Sequence, residues 1–168
     1  MDTGAEIKKA LREALGINPN LAITATVVSV SENTCSIKLA SELVLTDVRL
    51  CATISDDADM MVIKPKVGSE VIAMSQTGKL DGLFIVKVDA VDNITFKKED
   101  FEIIIDGVTK KVTIKNGTAN LGALMDSLID TIVSAQILTP QGPGTISPAT
   151  QTQLTNIKTM FNALLNNV

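Results

Sequence analysis

The fold is decided by residues 23–40, ITATVVSVSENTCSIKLA, which contain two β-rich stretches and a turn between them. Most side chains of the first stretch are β-branched, a composition typical of strands. In the second stretch apolar and polar side chains alternate over residues 35–39, as in a strand with one buried face. The polar run SENT at residues 31–34 is typical of a turn. These residues therefore predict a β-hairpin.

More short strands follow the hairpin, and no helical pattern separates them. They lie in segments 43–53, 60–64, 70–76 and 83–91, with polar or glycine-containing turns between them. Strands in this arrangement form an antiparallel barrel or sandwich. We therefore expect a fold that is mainly β with some α, in which residues 21–97 form a compact five-stranded OB-like barrel.

A short N-terminal helix is predicted over residues 3–15. Ile7, Leu11 and Leu15 recur at four-residue steps, which places them on one side of a helix. A glycine and then a proline follow at once and end the helix. Residues 1–20 are therefore interpreted as a helix and a linker.

A second β element, a hairpin, is predicted over residues 98–117. Asp106-Gly107 is a favourable two-residue turn between β-rich arms, and it would place Ile105 opposite Val108. One face of this hairpin is almost entirely apolar. Because an isolated two-stranded hairpin is only marginally stable in water, this face needs a cover from the same chain or from neighbouring copies.

The last segment, residues 118–168, predicts a helical hairpin. Apolar side chains recur at near-heptad spacing in each half, and a proline- and glycine-rich loop at 139–144 separates the halves. The segment contains three charged side chains, so its outer faces carry mostly Thr, Asn, Gln and Ser. Solvated helices usually carry Lys and Glu instead, and we infer that much of this surface contacts protein.

Composition excludes several classes of function. The chain has no histidine, tryptophan or tyrosine and four phenylalanines, so it lacks an imidazole base or ligand and has few rings for stacking bases. Its net charge of -4 creates no positive field for nucleic acid. No apolar run reaches the ~20 residues that cross a bilayer, and the N-terminus lacks a secretory pattern. Cys35 and Cys51 are expected to be reduced, buried thiols.

The motifs of common catalytic sites are missing from the sequence. It contains no glycine-rich phosphate loop and no GxSxG nucleophile motif. The acidic run Asp56, Asp57 and Asp59 lacks the glycine and distal glutamate of a calcium loop, and we interpret it as a solvated loop. No pattern brings two carboxylates together for glycoside hydrolysis. We therefore expect no enzymatic activity, no cofactor and no metal site.

A proline–glycine pattern marks the middle of the predicted barrel. Residues 64–71, KPKVGSEV, are followed by Gly78 and by Asp81-Gly82 before the strand at 83–86. This run resembles the P-x-x-G-x-x-V…G-x-x-x-G pattern in the OB domain of phage baseplate assembly proteins of the V type and related central-spike proteins.

The opening layout, a short helix followed by residues 25–39, is also similar to spike proteins of contractile-tailed phages, and the resemblance covers residues 21–117. In that family an N-terminal OB barrel is followed by strands that intertwine with two other copies. The resemblance implies a non-enzymatic homotrimer in the tail baseplate of the virion, made in the host cytoplasm. Its OB domain would dock to other baseplate or tail-hub proteins.

The chain departs from the family at its tip. It has no histidine for an iron-binding tip and no room for a lysozyme domain, so a separate tip protein is a further implied partner. Neither nucleic acid nor a direct membrane anchor is expected among its partners.

An OB-fold binding module for single-stranded nucleic acid or glycan is the alternative function. Such binding needs a basic groove and stacking aromatic rings. Only Phe84 and Phe96 are aromatic in the predicted barrel region, and acidic residues there balance the basic ones.

The candidate subunit contacts are apolar side chains on the uncovered hairpin face or in the helical stripes. In the hairpin they are Phe101, Ile103, Ile105, Val112 and Ile114. In the helices they are Leu121, Leu124, Leu128, Ile132, Leu154, Ile157, Phe161 and Leu164. The sequence leaves open an alternative for the helical set, which is to pack the two helices of one chain together.

Overall fold

The computed structural model describes residues 3–14, 22–52, 59–76 and 78–167. The chain divides into two compact units, which we name the barrel unit and the sheet–helix unit. The barrel unit comprises Met1–Ile54 and Lys64–Val91, and the sheet–helix unit comprises Ser55–Ile63 and Asp92–Val168.

Within the described ranges the chain forms three helices and eleven strands. The helices are α1 (Thr3–Ala14), α2 (Leu121–Val133) and α3 (Pro148–Leu164). The strands are β1 (Ile23–Val30), β2 (Thr34–Leu39), β3 (Val44–Arg49), β4 (Met60–Pro65), β5 (Glu70–Ser75), β6 (Leu83–Val88), β7 (Val91–Lys98), β8 (Phe101–Asp106), β9 (Lys111–Lys115), β10 (Gln136–Thr139) and β11 (Gly142–Thr145).

The barrel unit contains a closed barrel of five strands in the order β1-β2-β3-β6-β5. Neighbouring strands are antiparallel, except that β3 and β6 close the barrel in parallel at Arg49 and Phe84. The predicted fold class, mainly β with some α and containing a five-stranded OB-like barrel, is confirmed.

The barrel core follows from the alternation along its strands. Along each strand every second side chain points into the barrel, and Ile37 and Ala73 are completely buried. The thiol of Cys35 lies in this core, as expected, whereas Cys51 is only half-buried. The buried set is Ala25, Val27, Cys35, Ile37, Val48, Val71, Ala73 and Leu83.

The proline–glycine pattern forms the corner that leads into β5. The amide of Ser69 donates to the carbonyl of Lys66 at 3.1 Å, and Gly68 takes a φ of +85° within this turn. A positive φ is costly for residues with a Cβ, so glycine suits the corner. Pro65 before the turn is buried.

The sheet–helix unit is built on a four-stranded sheet in the order β4-β7-β8-β9. Strands β4 and β7 lie within the range predicted for the barrel but belong to this sheet. The sequence did not indicate this because β7 turns into β8 through Glu99-Asp100, a tight turn without glycine. Glu99 accepts a φ of +53° there, and β7 and β8 then pair without interruption from Lys98 and Phe101 to Asn93 and Asp106.

The predicted two-residue turn at Asp106-Gly107 is wrong. Asp106 pairs with Lys111, so the loop between β8 and β9 has four residues, and Ile105 faces Val112 rather than Val108. The longer loop is stabilised by the Asp106 carboxylate, which accepts hydrogen bonds from the amides of Val108 (2.8 Å) and Thr109 (3.1 Å). The hydroxyl and amide of Thr109 and the amide of Val108 lower the pKa of Asp106.

The two C-terminal helices pack against each other, as the sequence predicted. Asn120 caps α2 by accepting from the amide of Ala123, and Ser147 caps α3 by accepting from the amide of Thr150. The segment between them, predicted as a loop, is instead a β-hairpin of β10 and β11 that turns at Pro140-Gln141. None of the helices in the described ranges is long and apolar enough to cross a membrane.

The N-terminal helix is present as α1, with Ile7 and Leu11 largely exposed. Leu15 and the rest of the linker lie outside the described residues.

Candidate subunit interface

The four-stranded sheet has one face formed by apolar side chains. Side chains directly opposite each other on neighbouring strands share a face. The pairings of β7 with β8 and of β8 with β9 therefore define a surface that we name the sheet face: Ile94, Phe96, Phe101, Ile103, Ile105, Val112 and Ile114. All five hairpin candidates from the sequence lie on it.

The sheet face is only partly covered in a single chain. None of its seven side chains is buried, and Phe96, Phe101 and Ile105 are 41%, 37% and 48% exposed. The rings of Phe96 and Phe101 meet edge to face with centroids 6.4 Å apart. The remaining candidates on this face, Ile103, Val112 and Ile114, are half-buried.

The opposite side of the same sheet carries the charges. Glu102 pairs with Lys115 across the strands at 3.4 Å. Thr113 is buried between these charged positions. Apart from Ile104 on the charged side and Lys98 at the end of the sheet face, the sheet therefore has one apolar and one polar side.

One ion pair lies at the end of the sheet face. The Lys98 ammonium is 2.9 Å from the Asp59 carboxylate, which also accepts from the amide of Glu99. The hydrogen bond from Lys98 is the main cause of a lowered pKa at Asp59. Asp59 therefore has a structural partner, whereas Asp56 and Asp57 of the predicted acidic loop lie outside the described residues.

The helical candidates divide into two groups. Leu121, Leu154 and Phe161 are half-buried. The others remain exposed on a single chain: Leu124, Leu128, Ile132, Ile157 and Leu164. Both roles that the sequence left open, packing within a chain and exposure for contact with another, are thus represented.

Two aspartates and one lysine hold α2 and α3 together. The Lys158 ammonium lies 2.7 Å from Asp130 and 4.0 Å from Asp126, and the hydrogen bond to Asp130 is the main cause of a raised pKa at Lys158. The Asn167 amide donates to Asp126 and to Asn162. Every charged side chain of the two helices is therefore engaged within the chain.

The C-terminal residues continue the sheet at its β9 edge. Leu165, which is buried, forms a parallel bridge with Val112, and the amide of Asn166 donates to the Val112 carbonyl at 3.0 Å. Gly122 in α2 leaves the space for this segment to pass. This contact places the two helices directly beside the sheet.

Two clefts of the barrel unit differ in the charge of their lining, because the first has charges of both signs and the second has Arg49 without an acidic residue. A cleft of about 260 Å³ beside β5 and β6 is lined by Glu70 and Asp89 as well as Lys87. Phe84 lines a second cleft of about 210 Å³, while Phe96 lies on the sheet face and not in the barrel. Across the described ranges no group of acidic and cysteine side chains is arranged to hold a metal ion.

Comparisons of the chain with protein-family models, with curated protein sequences and with solved structures found no match.

Sequence reasoning missed two exposed apolar residues beside the candidates. Phe96 faces Ile103 across β7 and β8. Residues 94, 96 and 98 are two positions apart in the sequence, and this spacing could have indicated that they share one face of a strand. Met160 in α3 is 72% exposed and lies one helical turn from both Ile157 and Leu164. Both residues extend the exposed apolar surface.

Proposed function

We propose that this chain is a non-enzymatic structural protein of a phage tail baseplate. It forms a homotrimer whose OB-like barrel docks to the tail hub and whose sheet–helix units assemble with one another. The observation that carries the proposal is the only partly covered sheet face. An antiparallel sheet in water normally keeps its apolar face packed on a core. The resemblance of residues 64–71 to the baseplate OB pattern directs the proposal to this class of protein.

The sheet–helix unit buries fewer hydrophobic side chains than the barrel unit does. Among the described residues its buried hydrophobic side chains are Val62, Ile129 and Leu165, whereas the barrel core contains eight. Burial of apolar side chains is the main favourable term in folding, at about 25 cal/mol per Å². Apolar surface supplied by other copies would complete the missing core.

The proposal is tested with tail particles assembled from chains that carry Ile105→Asp or Val108→Asp. Ile105 lies on the sheet face, whereas Val108 is 71% exposed in the adjacent loop and is not part of that face. We expect Ile105→Asp to remain folded but to be monomeric and absent from particles, because a buried carboxylate opposes the contact. We expect Val108→Asp to assemble normally.

Electron microscopy of particles that contain a labelled chain measures whether the chain is incorporated and where it lies. The expected density lies on the tail axis at the baseplate. Absence of the unsubstituted chain from the particles, or equal incorporation of the two variants, would overturn the proposal. Binding of single-stranded nucleic acid at low salt, where electrostatic binding is strongest, would support the alternative function.

A further inference from the structure

The helix pair has an apolar surface of its own, separate from the sheet face. Three exposed side chains of α2 and three of α3 form what we name the helical face: Leu124, Leu128, Ile132, Ile157, Met160 and Leu164. Their exposed fractions range from 39% at Ile132 to 72% at Met160. Soluble monomers seldom leave a contiguous apolar patch of this kind uncovered.

Each residue of the helical face comes one position before a buried or half-buried residue. Leu128 precedes Ile129 in α2, and Met160 precedes Phe161 in α3. One residue is about 100° of rotation in an α-helix. On each helix the exposed stripe is therefore reached from the packed side by the same rotation, about 100° backwards in chain order.

The two helices run antiparallel, because Lys158 bonds to Asp130 while Asn167 joins Asn162 to Asp126. When two helices pack antiparallel, the same rotation in chain order, starting from their contact, leads to the same broad side of the pair. The two stripes consequently form one continuous surface on one broad side of the helix pair.

The other broad side is polar and internally satisfied. A threonine hydroxyl there donates to the carbonyl one turn earlier in its own helix, from Thr159 to Thr155. The three charged side chains of the helices are paired within the chain. The helical face is therefore neutral, and a partner can cover it without desolvating a charge.

We infer that the helical face packs against the helical faces of two sister copies, so that three helix pairs form a neutral bundle about the threefold axis. The inference rests on the proposed trimer and identifies a second contact within it. A neutral, apolar surface is the complement of this face, and the same face of a sister copy supplies one.

The inference is tested by thiol labelling of Leu128→Cys and its matched control Ser127→Cys. Both positions are exposed on a single chain, but position 127 lies on the polar side. Light scattering first gives the mass of each variant, and the unsubstituted chain gives the labelling of the native cysteines. We expect trimers in which maleimide labels the thiol at position 128 at least about tenfold more slowly than that at position 127.

Trimers that label equally fast at both positions would overturn the helical contact and leave the proposed trimer intact. A monomeric unsubstituted chain would overturn both. Should Leu128→Cys itself dissociate the trimer, Met160→Cys and its control Thr159→Cys repeat the comparison on α3. Dissociation by both face variants but by neither control supports the contact.

Discussion

Gly122, near the start of α2, shows how a single residue determines a tertiary contact. A Cβ at this position would lie 2.7 Å from the carbonyl oxygen of Asn166, a backbone atom that cannot move aside without breaking the bridge to β9. We expect Gly122→Ala to lower the free energy of unfolding by about 2 kcal/mol, as overpacking does elsewhere.

Chemical denaturation measures this loss, and Gly144→Ala is its control. A Cβ at Gly144 would meet the carbonyl oxygen of Ile137 at 3.6 Å, an ordinary contact. Equal stabilities of the two variants would show that the C-terminal segment does not pass over α2 as described.

The Cys35 thiol provides a second prediction at the scale of a residue. Burial raises its pKa from 9.0 to about 11. The folded protein therefore keeps this proton over a range in which the unfolded chain releases it, and stability is lost as the pH rises from about 9 towards 11. At pH 8 a thiol reagent should modify half-buried Cys51 first and Cys35 only on unfolding. Rapid labelling of two thiols in the native protein would contradict the closed barrel core.

Among the elements, the contact between α2 and α3 depends on an ion pair that pH can remove. Asp130 raises the pKa of Lys158, so the stabilisation is complete below 10.5 and is lost as the pH rises through the folded value. We expect Lys158→Met to unfold more easily than the unsubstituted protein at pH 7. The difference should narrow at high pH and in high salt.

Lys87→Met is the control for this comparison, because Lys87 is exposed on β6 in the barrel unit. The measurement is denaturation of each variant across the pH range. A Lys158→Met effect that is independent of pH would mean that the lost methylene packing, and not the charge, held the helices together.

The elements also show how far local patterns predict the fold. Alternation in residues 35–39 and the proline–glycine corner at 64–71 predicted barrel strands that the structure confirms. The same alternation does not say which sheet a strand joins, and β4 and β7 accordingly lie in the second sheet. Pairing between distant segments is a property of the whole fold and leaves little trace in a window of ten residues.

Turns were also predicted less accurately than strands. The loop after Asp106 is longer than the Asp-Gly signal suggests because the carboxylate binds two following amides and Lys110 accepts a φ of +60°. The β10–β11 hairpin turns at Pro140-Gln141 within a stretch whose prolines and glycines resemble an irregular loop. For the candidate interface, by contrast, the shared face of the five hairpin residues was predictable, because a register shift of an even number of residues preserves it.

At the scale of the whole molecule, the two units differ in how much apolar surface they bury. The barrel unit encloses eight hydrophobic side chains, and the sheet–helix unit leaves the sheet face and the helical face partly exposed to solvent. This difference could not be read from composition, because both halves of the chain contain similar apolar patterns. The difference becomes visible only when the strand register shows which apolar residues share one side of the sheet.

Light scattering on the purified chain at micromolar concentration tests most directly whether sister copies cover these faces. We expect a particle of three times 17.8 kDa that dissociates on Ile105→Asp and persists on Val108→Asp. A folded particle of 17.8 kDa would contradict it.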